Sequence, residues 1–152
     1  MINTAQKNSI VVPSTAIRCG ANFIVAEFTA GGAIAPGGLV KYGAGVERVI
    51  AVAAATDTVC IGVADLNYSA LAVGSPETTN FASGDRVPVI MDGLVCVKAD
   101  AAIVAGARVM VGGTTFTYVL TEAASIAGVQ QGIGRCLTTA GASGDKVVVK
   151  LW

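Results

Sequence analysis

The chain writes one turn-and-strand device twice. Ser83-Gly84-Asp85-Arg86-Val87 opens a valine-rich run, and Ser143-Gly144-Asp145-Lys146-Val147 opens another near the C-terminus. Glycine allows a sharp turn and aspartate can accept local backbone amides. The alternation that follows is a strand signal. A chain that repeats such a unit is constrained to short strands joined by tight turns. Other segments agree. "AIAPGGLVKYG" (33–43) aligns with "AIVAGARVMVG" (102–112), and an Ile-Gly pair follows in each half, at Ile61-Gly62 and Ile133-Gly134. This is a weak internal repeat with the same order of parts in both halves.

The clearest local unit is "DRVPVIMDGLVCVK". Asp92-Gly93 between Arg86–Met91 and Leu94–Lys98 reads as a tight hairpin turn. Pro88 cannot donate to a ladder, so it belongs at an edge, a bulge or a strand start. Helical periodicity is scarce. The best candidate is Leu120 to Val129, with Thr121 as N-cap and Gly128 as stop. The first half carries an extra stretch, "LNYSALAVGSPETTNFA" (66–82), which reads as a long exposed loop. The expected fold is therefore all-β: a small β-barrel or sandwich of short antiparallel strands, with at most one or two short helices. Residues 1–20 read as an N-terminal arm and 21–152 as a single domain.

The function classes narrow by elimination. Ten basic and ten acidic residues cancel, so phosphate binding lacks electrostatic support and nucleic acid is not an expected partner. No run approaches the roughly 18 apolar residues of a membrane helix, and the first residues do not read as a secretory signal. Hydrophobic residues make up 53% of the chain and charged residues 13%. A domain this small cannot hide so much apolar surface alone, which points to self-association. The chain has no histidine, no Cys-x-x-C pair, no phosphate loop and no Gly-x-Ser-x-Gly elbow. No catalytic residue, cofactor or metal is expected. Cys19, Cys60, Cys96 and Cys136 read as reduced thiols acting as small core hydrophobes. An enzymatic alternative, a trimeric barrel with sites between subunits, would have to draw on Asp65, Glu77, Asp85 and Arg86.

The stretch "DGLVCVKADAAIVAGARVMVGG", the later "GIGRCLTTAGASGDKVVVKLW" and the early "EFTAGGAIAPGGLVKYG" resemble the capsid cement (decoration) proteins of tailed double-stranded DNA phages. The resemblance runs from about Phe23 to Leu151. It implies a small all-β protein made in the host cytoplasm, assembled as a homotrimer and seated on the outer surface of the virion head. There it would bind the major capsid protein and brace the shell. A fibre or adhesin-type surface module is the alternative. Two departures stand out: the N-terminal arm and the longer 66–82 loop. Within the arm, Ile10-Val11-Val12 is a short β-prone run stopped by Pro13, suited to adding a strand to a neighbour's sheet edge. Ile10, Val11, Val12 and the terminal Trp152 are the expected partner-binding residues.

Overall fold

The computed structural model describes residues 17–19, 22–45, 47–51, 60–69, 75–76, 78–112, 114–115, 117–121 and 132–152. Those residues form nine strands: β1 (Ile24–Ala30), β2 (Leu39–Tyr42), β3 (Arg48–Ala51), β4 (Cys60–Ala64), β5 (Arg86–Lys98), β6 (Arg108–Val111), β7 (Val119–Thr121), β8 (Gly134–Cys136) and β9 (Lys146–Leu151). The sheet order is β1-β3-β2-β4-β5-β9-β8-β6-β7, and an added β1–β5 pairing closes the first five strands into a barrel. All pairings are antiparallel except β1 with β3. The expected all-β barrel is what forms.

The expected hairpin at Asp92-Gly93 does not form. Arg86 to Lys98 is one strand of 13 residues. Its first half pairs with β1 as far as Ile24↔Asp92, and its second half picks up β9 at Gly93↔Leu151. Each half has its own neighbour, so the two valine runs need not fold against each other. Gly93 still takes a positive φ of 122°. That freedom bends the strand where it leaves one unit for the next. A side chain there would meet the Phe23 ring and the Asn22 carbonyl at 2.6 and 2.8 Å. Asp92 Oδ1 accepts the Gly93 N–H at 2.7 Å, which fixes the bend. Pro88 is the third residue of β5, just past the last β4 pair, Ala64↔Val89. The expected helix is also corrected at its start: Leu120 and Thr121 pair with Met110 and Val109 as part of β7. The remainder of that segment lies outside the described residues.

The repeat is far closer in space than in sequence. Strands β5 (second half), β6, β7, β8 and β9 retrace β1, β2, β3, β4 and β5 (first half). Ile34 and Phe81 exchange backbone hydrogen bonds at 3.1 and 2.8 Å, and Ile103 and Ala140 do the same at 3.0 and 2.9 Å. Gly84 donates to Ala30 O and Gly144 to Ala99 O, both at 2.8 Å. A bridge from Ala99 to Val119, parallel like β1–β3, returns the second ring toward closure. Each interior is lined position for position. Ala30, Ile34, Val40, Val49, Ala64, Phe81, Val87 and Val89 fill the first. Ala99, Ile103, Val109, Val119, Cys136, Ala140, Val147 and Val149 take the equivalent places in the second. Strand alternation then sends Leu39, Val63 and Ile90 outward from the first ring. They do not reach solvent, because they belong to the same buried cluster as the second unit's residues. The two units thus share one core cluster, while the first barrel's interior forms a second cluster of its own.

The segment 66–82 is only partly the exposed loop expected. Asn67 and Phe81 are buried, and Leu66 is half-buried. The Asn67 amide donates to the Thr79 and Asn80 carbonyls at 3.2 and 3.3 Å, stapling the two ends of the loop. Phe81 carries the loop's end into the barrel.

Candidate interaction face

Among the sequence-predicted partner residues, Ile10, Val11 and Val12 lie outside the described residues. The described N-terminal stretch begins at Ile17, which is buried in the shared core. Arg18 forms an antiparallel bridge with Val95. The Cys19 amide donates to Leu94 O at 2.9 Å, and the Cys96 amide donates to Ile17 O at 2.7 Å. Residues 17–19 therefore lie against β5 through a single antiparallel bridge. Arg18 reaches the fully buried Asp65 through Nε at 2.7 Å and Nη2 at 2.5 Å. The other carboxylate oxygen accepts the Leu66 amide at 2.8 Å. A buried carboxylate satisfied on both oxygens anchors the chain at this point.

Trp152, the other expected partner residue, has 57% of its surface exposed. Its indole N–H donates to Gly132 O at 3.0 Å. The Arg108 guanidinium carbon lies 5.3 Å from the ring centroid, a cation–π contact. Around it, register collects cations that the sequence scatters. Arg108 is the cross-strand partner of Arg135, and Arg135 is the partner of Lys150. Lys150 Nζ is hydrogen-bonded to Asp92, whose carboxyl is held below its ordinary value first by that bond and then by the Gly93 amide. Sequence reasoning missed this row. Each cation stands alone inside an apolar run, and only strand pairing brings the three together.

A concavity of about 380 Å³ lies between the two units, lined by Ile17, Pro36 and Leu66 and by Val97, Thr117 and Tyr118. Lys98 and Lys146, which line it as well, are cross-strand partners. Lys98 Nζ sits 5.7 Å from the Tyr118 ring centroid. The Cys19 thiol hydrogen-bonds Cys96, which pushes the Cys19 pKa up, with burial adding to the effect. The same bond pulls the Cys96 pKa down, helped by Lys146 and opposed by burial. Burial pushes the Cys60 thiol up to about 11. Cys96 and Cys136 are buried, whereas Cys19 and Cys60 are only half-buried, and none of the four is joined in a disulfide.

The acidic set considered for catalysis is dispersed among separate partners. Asp65 holds Arg18. Asp85 Oδ2 accepts the Ala82 amide at 2.8 Å within its own turn, as Asp145 Oδ2 accepts Gly141 and Ala142 at 3.0 Å in the other. Arg86 pairs with Glu27 at 2.6 Å on an exposed face. Glu77 lies outside the described residues. Among the described residues, no three metal-ligating side chains converge. The Ser-Gly-Asp repeat is thus an architectural turn, with Gly84 and Gly144 at φ 93° and 89°.

No family model and no curated protein matches the chain. Among solved structures, the fold is similar to the N base of head fiber gp8.5 of bacteriophage phi29. That likeness has a TM-score of 0.56 at 16% sequence identity and covers 86% of this chain and 95% of the phage chain. It shows a shared β fold.

Proposed function

We propose that this protein is a structural, non-enzymatic component of a tailed-phage head: a cement or decoration protein that binds the outer surface of the shell as a homotrimer and braces the major capsid protein. The observation that carries the reading is the fold likeness to the phi29 head fiber base, which spans nearly all of that chain. The Ala-rich turn motifs and the low charge content support it independently. The turns of the repeat are self-contained, as a rigid clamp requires, and the outer faces carry the chain's exposed Trp152, Ile24 and Tyr42. The neighbour's description as a fiber base also favours a second reading, in which the domain is the foot of a projecting head fibre. Purified protein added to undecorated heads and imaged in negative stain decides among the outcomes. Low, evenly spaced knobs support the cement reading and projecting rods the fibre reading, while bare heads at micromolar protein overturn both.

A further inference from the structure

We infer that the outer face of β6, β8 and β9 docks an acidic, extended segment of a partner protein, read by Arg108, Arg135 and Lys150 with Trp152 as the apolar anchor. The duplication is what isolates this face. In the first unit the row at these positions is Leu39↔Val63↔Ile90. In the second it is Arg108↔Arg135↔Lys150. The first row is fully buried, because the second unit's cluster covers it. The second row is exposed. The same face of one module is therefore an interface already filled within the chain, and its copy is an exposed face not covered by the described residues, with cations where the first has aliphatic side chains.

The substitution of charge for apolar surface keeps the open face soluble. It also places Arg135 directly opposite both Arg108 and Lys150, where like charges repel, a repulsion that the Lys150–Asp92 bond relieves at one end of the row. A partner that brings negative charge to the Arg108–Arg135 end relieves the rest. Three cations on adjacent strands span about 10 Å, two inter-strand spacings. This is too few for a phosphate track in a chain whose charges otherwise cancel. It suits two or three carboxylates presented by an extended segment, which the planar guanidinium forks grip in pairs. The half-exposed indole stacked on Arg108 is the type of side chain that carries binding energy at an interface centre. Under the head-component reading, on which the identity of the partner protein rests, the segment belongs to the shell or to a neighbouring head protein.

The probe is a fluorescent peptide of alternating Glu and Val residues, measured by anisotropy against the full-length protein. A Gln/Val peptide and a short oligo-dT serve as comparators. The Glu peptide is expected to bind, and binding should weaken at least tenfold in R108E, R135E and W152A and fall as salt rises past about 0.15 M. Because the row is self-repulsive, R135Q and R135E should melt no lower than the parent protein, which separates loss of a docking face from loss of fold. Equal affinity for the Glu and Gln peptides, undiminished binding by the variants, or tighter binding of oligo-dT through the same residues overturns the inference. The measurement uses no phage heads, so bare heads in the imaging experiment with intact peptide binding would fail the head reading alone.

Discussion

At the scale of single residues, the two Ile-Gly pairs state the duplication most sharply. A Cβ on Gly62 would lie 2.3 Å from Ile90 O, and one on Gly134 would lie 2.3 Å from Lys150 O. Neither oxygen can move without moving β5 or β9. Gly62→Ala and Gly134→Ala should each destabilise by about 3 kcal/mol, the upper part of the range for overpacking. Gly32→Ala, with open space around it, should stay within about 0.5 kcal/mol in the same urea titrations. Similar small shifts at all three positions would contradict the close strand approach. Asp92 sets a pH dependence. Its folded pKa is depressed by Lys150 and the Gly93 amide, so its contribution is fully present above the unfolded value of about 3.9 and is lost as pH falls through the lower folded value. Asp92→Asn should therefore flatten the acid limb of the stability-versus-pH curve while leaving the curve above pH ~6 parallel to the parent's. An unchanged acid limb would remove Asp92 from the account.

At the scale of elements, the turns were legible and the strand partners were not. Gly84, Gly144, Asp85 and Asp145 act within a few residues of themselves, so their roles follow from local chemistry. Asp92-Gly93 uses the same chemistry, but a hairpin and a bend in a through-strand place the same demand on φ. What decides between them is that β1 and β9 each supply a ladder to one half of β5. Those partners are remote in sequence, and no local pattern encodes them. The basic row was hidden for the same reason. Trp152 could be nominated from the sequence as a single residue, whereas Arg108, Arg135 and Lys150 become neighbours only through register. The duplicated interiors also differ in a testable way. Phe81 fills the first barrel where Ala140 stands in the second. Phe81→Ala should cost about 3–5 kcal/mol by opening a cavity that backbone pairing on both sides holds open. Ala140→Phe should cost about 1–3 kcal/mol by overpacking. Thermal melts that ranked the two in the opposite order would mean the first interior collapses to fill the space.

At the scale of the whole molecule, the central question is how much of the apolar content the single chain buries. The shared core accounts for Leu39, Val63 and Ile90, which a lone barrel would have exposed. It leaves Ile24, Tyr42, Tyr68, Val104 and Trp152 facing outward. With a net charge of zero, little opposes contact between copies. The protein should therefore sediment as a homo-oligomer, a trimer on the cement reading, through an interface of at least about 1,000 Å². The N-terminal arm tests how that assembly is held. Its described end, Ile17 to Cys19, already bridges to β5 at Val95 and is anchored by the Arg18–Asp65 pair. Upstream of this anchor, the sequence of Ile10-Val11-Val12 is suited to pairing with another chain's edge. Deleting residues 2–14 spares the anchor, so the β signature in circular dichroism should persist. Oligomerisation or head binding should weaken tenfold or more, equivalent to about 1.4 kcal/mol. A truncated protein that keeps both the mass and the head affinity of the full chain would place the clamp on the folded units themselves, and a monomeric full-length chain at micromolar concentration would remove self-assembly from the proposed function.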